Sequence, residues 1–170
     1  MRARRILIAA AVLIAAVVLQ TSLFARIRLF DVAPLLLVVF LIGYARHMQS
    51  EVAILLGFGA GLLQDLMAVS PLGLWALIGA SVSYATVRFR GRLEEDFGSM
   101  TPFVFAATFG GMVLFAVLGT IFGEKVLADG GIVKKLVLPA AYNALLAFLV
   151  LPFTAWTIGA SRRPGTEFRL

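Results

Sequence analysis

The chain has 170 residues, 61% of them apolar and only 14% charged, with a formal net charge of +6 and a mean hydropathy of +1.00. A soluble domain carries about a quarter charged residues, so this chain has too little polar surface to cover a water-soluble globule, and its outside must face lipid. Zero cysteines exclude disulfides, thiolate catalysis and cysteine-ligated metals, and basic residues that sit at the ends of apolar runs are orientation and headgroup signals rather than a nucleic-acid surface.

The charges fall in groups: Arg2 to Arg5, Arg26 to Asp31, Arg46 to Glu51, Arg88 to Asp96, Glu124 to Lys135 and Arg162 to Arg169. Between them run long apolar stretches with a single charged exception, Asp65. Charge at the bilayer centre costs at least ~2.5–3.5 kcal/mol, so charge-free runs are what lipid exposure demands. The expected fold is an all-α integral membrane protein, a bundle of six transmembrane helices forming one domain over residues 1–160, with a cytoplasmic tail over 161–170.

In chain order, the first span covers about 6–25. Its basic start resembles a signal peptide, but the apolar run is too long for one and more spans follow, so it reads as an uncleaved helix. The second, about 32–45, is short for a bilayer. The third, about 52–69, contains Gly57-Phe58-Gly59-Ala60-Gly61-Leu62-Leu63-Gln64-Asp65. The tight connection Ser70-Pro71-Leu72-Gly73 then joins it to a fourth span over about 74–87. The fifth, about 102–122, is given a thin face by Gly110, Gly111, Gly119 and Gly123. The sixth, about 136–158, carries Pro139 near its start and Pro152 near its end. Lys and Arg in alternate connections then number 10 on the side of the two termini and 5 on the other. The positive-inside rule puts both termini in the cytoplasm.

Gly57, Gly61 and Asp65 are spaced by four and share one helix face. A G-x-x-x-G pair lets another backbone approach closely, a main source of helix association in lipid. Two readings of Asp65 stand open. Either it reaches the outer interface and caps the Ser70-Pro71 turn or the start of the fourth span, or it lines a polar cavity or meets a partner's cation. Gln20, Gln64 and Asn143 read as interhelical hydrogen-bonding groups, and Trp75 and Trp156 as interfacial anchors. Ala11 and Ala15 form a small-residue stripe on the first span, a further candidate association face. His47, beside Arg46, reads as a solvated interfacial side chain. The segment Arg88 to Asp96 mixes both signs of charge and reads as a solvated loop. Catalytic sets, paired intramembrane carboxylates, metal-ligand clusters and phosphate loops are all missing from the sequence, so neither an enzyme nor a cofactor is expected. Transport by this chain alone is disfavoured by its lone intramembrane charge and the lack of an inverted repeat.

The ordered set Leu19-Gln20-Thr21-Ser22, Asp31-Val32-Ala33-Pro34-Leu35, Gly57-Phe58 with Gly61-Leu62 and Asp65, then Leu72-Gly73 resembles the MreD family of bacterial rod shape-determining membrane proteins. The motifs cover roughly residues 1–90; beyond them the likeness is in length and span count. The separation of Asp31 from Pro34 departs from the family's usual pattern. The resemblance implies a scaffold of the elongation machinery in the cytoplasmic membrane. Such a protein would bind the bitopic MreC and help couple MreB filaments to the glycosyltransferase RodA and its class B penicillin-binding transpeptidase. It also implies a bundle similar to the substrate-binding subunits of energy-coupling-factor vitamin transporters, and such a subunit is the alternative function. On the scaffold reading, Gly57, Gly61, Asp65, Pro71, Gly73, Ala11 and Ala15 are the packing or partner-contact residues.

Overall fold

The computed structural model describes residues 2–24, 34–68, 70–92, 97–123 and 130–159. The expected connection over 26–31, the first part (124–129) of the one expected over 124–135, the acidic part of the Arg88 to Asp96 segment, and the tail lie outside the described residues.

Among the described residues there are six α-helices and no strand. They are α1 (Arg2–Leu19), α2 (Leu36–Ala45), α3 (Ser50–Met67), α4 (Leu74–Phe89), α5 (Phe97–Ile121) and α6 (Ile132–Thr157). Four of them, α1, α3, α5 and α6, are long and apolar enough to cross a membrane. The fifth helix starts earlier than its composition suggests, at Phe97, and takes in the polar Ser99 and Thr101 before Pro102. Pro102, the sixth residue of the helix, has no N–H to offer the Gly98 carbonyl one turn earlier, so one intrahelical bond is absent there.

The short second helix is the centre of the bundle. It has 10 residues, and every one except Phe40 is buried. A helix apolar on all sides is a core helix, and at about 1.5 Å per residue it rises only about 15 Å. Its length need not match a bilayer, because protein and not lipid surrounds it. On one side Val38, Val39 and Ile42 pack with Trp75, Ile78 and Val82 of α4, Val104 of α5 and Val150 of α6. On the other, Leu37, Leu41 and Tyr44 pack with Leu13 and Val17 of α1 and Ala53 and Ala60 of α3. Trp75 therefore sits in the core, 9% exposed against Phe115 at 5.0 Å between ring centroids, and is not an interfacial anchor. Trp156, 71% exposed, does face outward.

The helix pair α3–α4 is the tightest contact. A Cβ on Gly61 would lie 2.7 Å from the Cα of Ala76 and closer still to the carbonyl of Trp75. One on Gly57 would collide with the Gly79 carbonyl and the Ser83 hydroxyl, and one on Gly79 with the Gly57 carbonyl. The two backbones touch with no side chain between them, which only glycine allows. By contrast, Gly59 on the same helix meets nothing within 4 Å. Ala11 and Ala15 lie on the exposed side of α1, whose inward face is Ala9, Leu13, Ala16 and Val17.

Overpacking a close contact costs about 1–3 kcal/mol. Gly61→Ala and Gly57→Ala should each lower the melting temperature of the detergent-purified chain by roughly 5 °C. Gly59→Ala, which trades glycine for a better helix former at an open position, should hold or raise it. Thermal unfolding followed by the monodisperse fraction distinguishes the three.

Candidate functional site

Gln20, Gln64, Asp65, Thr108 and Asn143, five of the buried polar residues, gather around the starting ends of the two shorter helices. A helix start presents four backbone N–H groups with no intrahelical acceptor, and each costs several kcal/mol if left unmet away from water. The arrangement at α4 meets this cost with one side chain. Asp65, two residues before the end of α3 and 3% exposed, receives four hydrogen bonds. Its Oδ1 accepts from the Trp75 amide at 3.0 Å and the Ser70 hydroxyl at 3.2 Å. Its Oδ2 accepts from the amides of Gly73 at 3.0 Å and Ala76 at 3.1 Å.

The fourth donor, the Leu74 amide, goes to the Pro71 carbonyl at 3.2 Å, and the next, Leu77, already reaches Gly73 within the helix at 2.9 Å. The accounting for the start of α4 is complete. Its N-cap residue, Gly73, holds φ at +94°, a conformation that disfavours any side chain, and so has no cap of its own to offer. The carboxylate from the preceding helix takes that role and also places negative charge at the positive end of the helix dipole. A deprotonated carboxylate offers about four acceptor positions and no donor, which is what four converging donors require. Of the two readings of Asp65, the geometry gives the cap.

The start of α2 is built on the same principle with neutral amides. Gln20 lies in a π-helical turn, Gln20–Phe24, that continues α1. Thr21 stays tied back to the Val17 carbonyl at 2.9 Å, and the wider turn leaves Gln20 buried. Its Oε1 accepts from the Leu37 amide at 3.0 Å while its Nε2 donates to Gln64 at 3.2 Å. Asn143, near the middle of α6, clasps Leu35 from both sides: its Oδ1 accepts the Leu35 amide and its Nδ2 donates to the Leu35 carbonyl, each at 3.0 Å. That Nδ2 also donates to Thr108 of α5 at 3.1 Å. Because Asn143 is at mid-helix, α2 begins at mid-depth in the bundle. At the other end of α2, Arg90, the residue that ends α4, donates to the carbonyls of Ala45 and Met48, and Tyr44 pairs with Thr157 of α6 at 3.0 Å.

The structure thus brings Gly57, Gly61, Asp65, Pro71 and Gly73 together in the α3–α4 hairpin and leaves Ala11 and Ala15 apart on the outer surface of α1. The glycine stripe of α3 meets a matching stripe on α4, Ala76, Gly79 and Ser83, whose spacing of three and four residues was visible in the sequence as a second small-residue face. Among the described residues no group of three His, Cys, Asp or Glu side chains could hold a metal ion.

A family model described as rod shape-determining protein MreD matches residues 2–156, which takes in five of the six helices and all but the last residue of α6. The chain belongs to the MreD family. Neither the curated proteins nor the solved structures give a match. MreD proteins are structural membrane proteins of rod shape determination, and the match assigns this chain to that role. The apolar helices agree with a multi-pass membrane protein.

Asparagine at position 65 would offer one acceptor oxygen and turn an NH₂ group toward donors. Asp65→Asn should therefore cost about 2–4 kcal/mol, read as a lower melting temperature in detergent. Asn143→Leu, which strips both Leu35 bonds without losing bulk, should cost a similar amount by the same assay. An unchanged melting point in either variant would refute its capping role.

Proposed function

We propose that this MreD protein is a non-enzymatic scaffold of the elongation machinery in the bacterial cytoplasmic membrane. In this reading it binds MreC and helps couple MreB filaments to peptidoglycan synthesis by RodA and its class B penicillin-binding transpeptidase. The observation that carries the reading is the family match over residues 2–156. The interior supports it: Gln20, Gln64, Asp65 and Asn143, the polar groups best able to bind a ligand or relay a proton, each complete a hydrogen bond within the bundle. Structure maintained at this expense suits a rigid partner-holding body.

The same reading has the chain cross the membrane six times as one domain over residues 1–160, in the manner of the energy-coupling-factor subunits, with both termini and the 161–170 tail cytoplasmic. The 10-to-5 bias in Lys and Arg supports that orientation. Ala11 and Ala15, exposed on α1, are our choice for contact with the MreC span. Gly57, Gly61, Asp65, Pro71 and Gly73 hold the hairpin that supports the bundle.

Two experiments test this. Depleting the protein from a rod-shaped host should round the cells, and the tagged chain should pull down MreC from detergent extracts. Rods that persist, or a purified chain that binds a vitamin at nanomolar concentration, would contradict the scaffold reading. Because the chain has no cysteine, single introduced cysteines report topology cleanly. Gly130→Cys should react with an impermeant maleimide in intact spheroplasts and Gly91→Cys only after permeabilisation. The reverse pattern would overturn the orientation.

A further inference from the structure

A cleft of about 440 Å³ opens between the first turns of α1 and the end of α6, lined by Arg4, Arg5, Ile8, Trp156, Thr157 and Ile158. Two arginines line it. Among the described residues the only carboxylates are Glu51 and Asp65, and neither Arg4 nor Arg5 is ion-paired with a described residue. Asp65 is committed to the opposite end of the bundle. The surroundings add to the positive field, with Arg88 in the last turn of α4 and Arg90 and Arg92 just after it at the same end of the molecule.

Ile8, Trp156 and Ile158 give the cleft an apolar share of its lining, and apolar residues continue from it along α6. Ile158 is 4% exposed beneath it. Leading away along α6 are Trp156, Phe153 and Leu149, 71%, 43% and 72% exposed. Their spacing of three and four residues makes one continuous outward stripe, and Phe153 and Trp156 pack ring to ring at 6.2 Å. Cationic groups next to an indole, at the end of an apolar stripe, match a molecule that is anionic at one end and aliphatic along the rest.

We propose that this cleft holds the phosphodiester headgroup of one anionic phospholipid, with Arg4 and Arg5 on the phosphate oxygens and an acyl chain along Leu149, Phe153 and Trp156. Arginine's planar fork of donors suits phosphate oxygens. The lipid would bridge the first and last helices of the bundle at their shared end. A soluble phosphate would use the guanidiniums but leave the apolar stripe without a function.

The test uses the purified full chain in a zwitterionic detergent, titrated with phosphatidylglycerol and, separately, with phosphatidylcholine of the same acyl chains, bound lipid being counted by native mass spectrometry. One phosphatidylglycerol should bind saturably and at least roughly tenfold more tightly than phosphatidylcholine. Arg4→Gln with Arg5→Gln should abolish that preference, whereas Arg88→Gln with Arg92→Gln, an equal loss of charge at the same end, should retain it. Equal losses in the two double variants would show unlocalised attraction and overturn the site. Inorganic phosphate at millimolar concentration should not displace the lipid; if it binds as tightly as phosphatidylglycerol, the ligand is a soluble anion and the lipid assignment fails. An Arg4 and Arg5 variant that keeps its melting temperature but still prefers phosphatidylglycerol would also overturn it.

Discussion

The bundle depends on finding acceptors for backbone N–H groups where helices start inside it. In water such groups are solvated at little cost, but deep in a lipid-facing protein each must have a protein partner. Asp65 meets three amides and one hydroxyl at the start of α4, and Gln20 and Asn143 divide the equivalent work at α2. In each case the acceptor is borrowed from a different helix, so satisfying a helix start also fixes the position of its neighbour.

That borrowing ties the packing together. The Asp65 carboxylate can reach the α4 start only if α3 and α4 lie backbone to backbone, and the glycines at 57, 61 and 79 permit that approach. Gln64, next in sequence to Asp65, bonds Gln20, so the same end of α3 also locates the end of α1. Asn143 holds the α2 start to α6 and Thr108 of α5, and Arg90 ties the far end of α2 to α4. In this way α2, too short to cross a bilayer as a helix, becomes the axis around which the longer helices pack. The one carboxylate in any apolar run is part of this construction, which is why it needs no catalytic or transport role to explain its burial. A body of this kind suits membership in a family of rod shape determination.

Much of this was legible in the sequence. Charge spacing marks every helix, because exclusion of charge from lipid is a strong and local constraint. The spacing of Gly57, Gly61 and Asp65 marks a shared face, since a helix returns to the same side every three to four residues. Which neighbour that face meets was not legible: Gly79 and Ser83 are similarly spaced, but pairing two stripes needs the hairpin geometry. The depth of α2 was also hidden, because a 10-residue apolar segment reads alike as a truncated span and as a core helix. Trp75 misleads for a related reason. An indole near a span end commonly sits at the interface, and only the position of α5 and Phe115 buries it. The outward direction of Ala11 and Ala15 depends likewise on which face of α1 the short helix occupies.

Amide hydrogen exchange on the chain in lipid nanodiscs tests the central claim most directly, at Trp75 and Ala76, whose amides are the second and third of α4. First-turn amides without an acceptor exchange readily, so the account predicts protection at these two comparable with mid-helix α4 amides, and loss of it in Asp65→Asn while the middle of α4 stays protected. Rapid exchange at Trp75 and Ala76 in the unaltered chain would contradict the account, because Asp65 would then not be holding the start of α4.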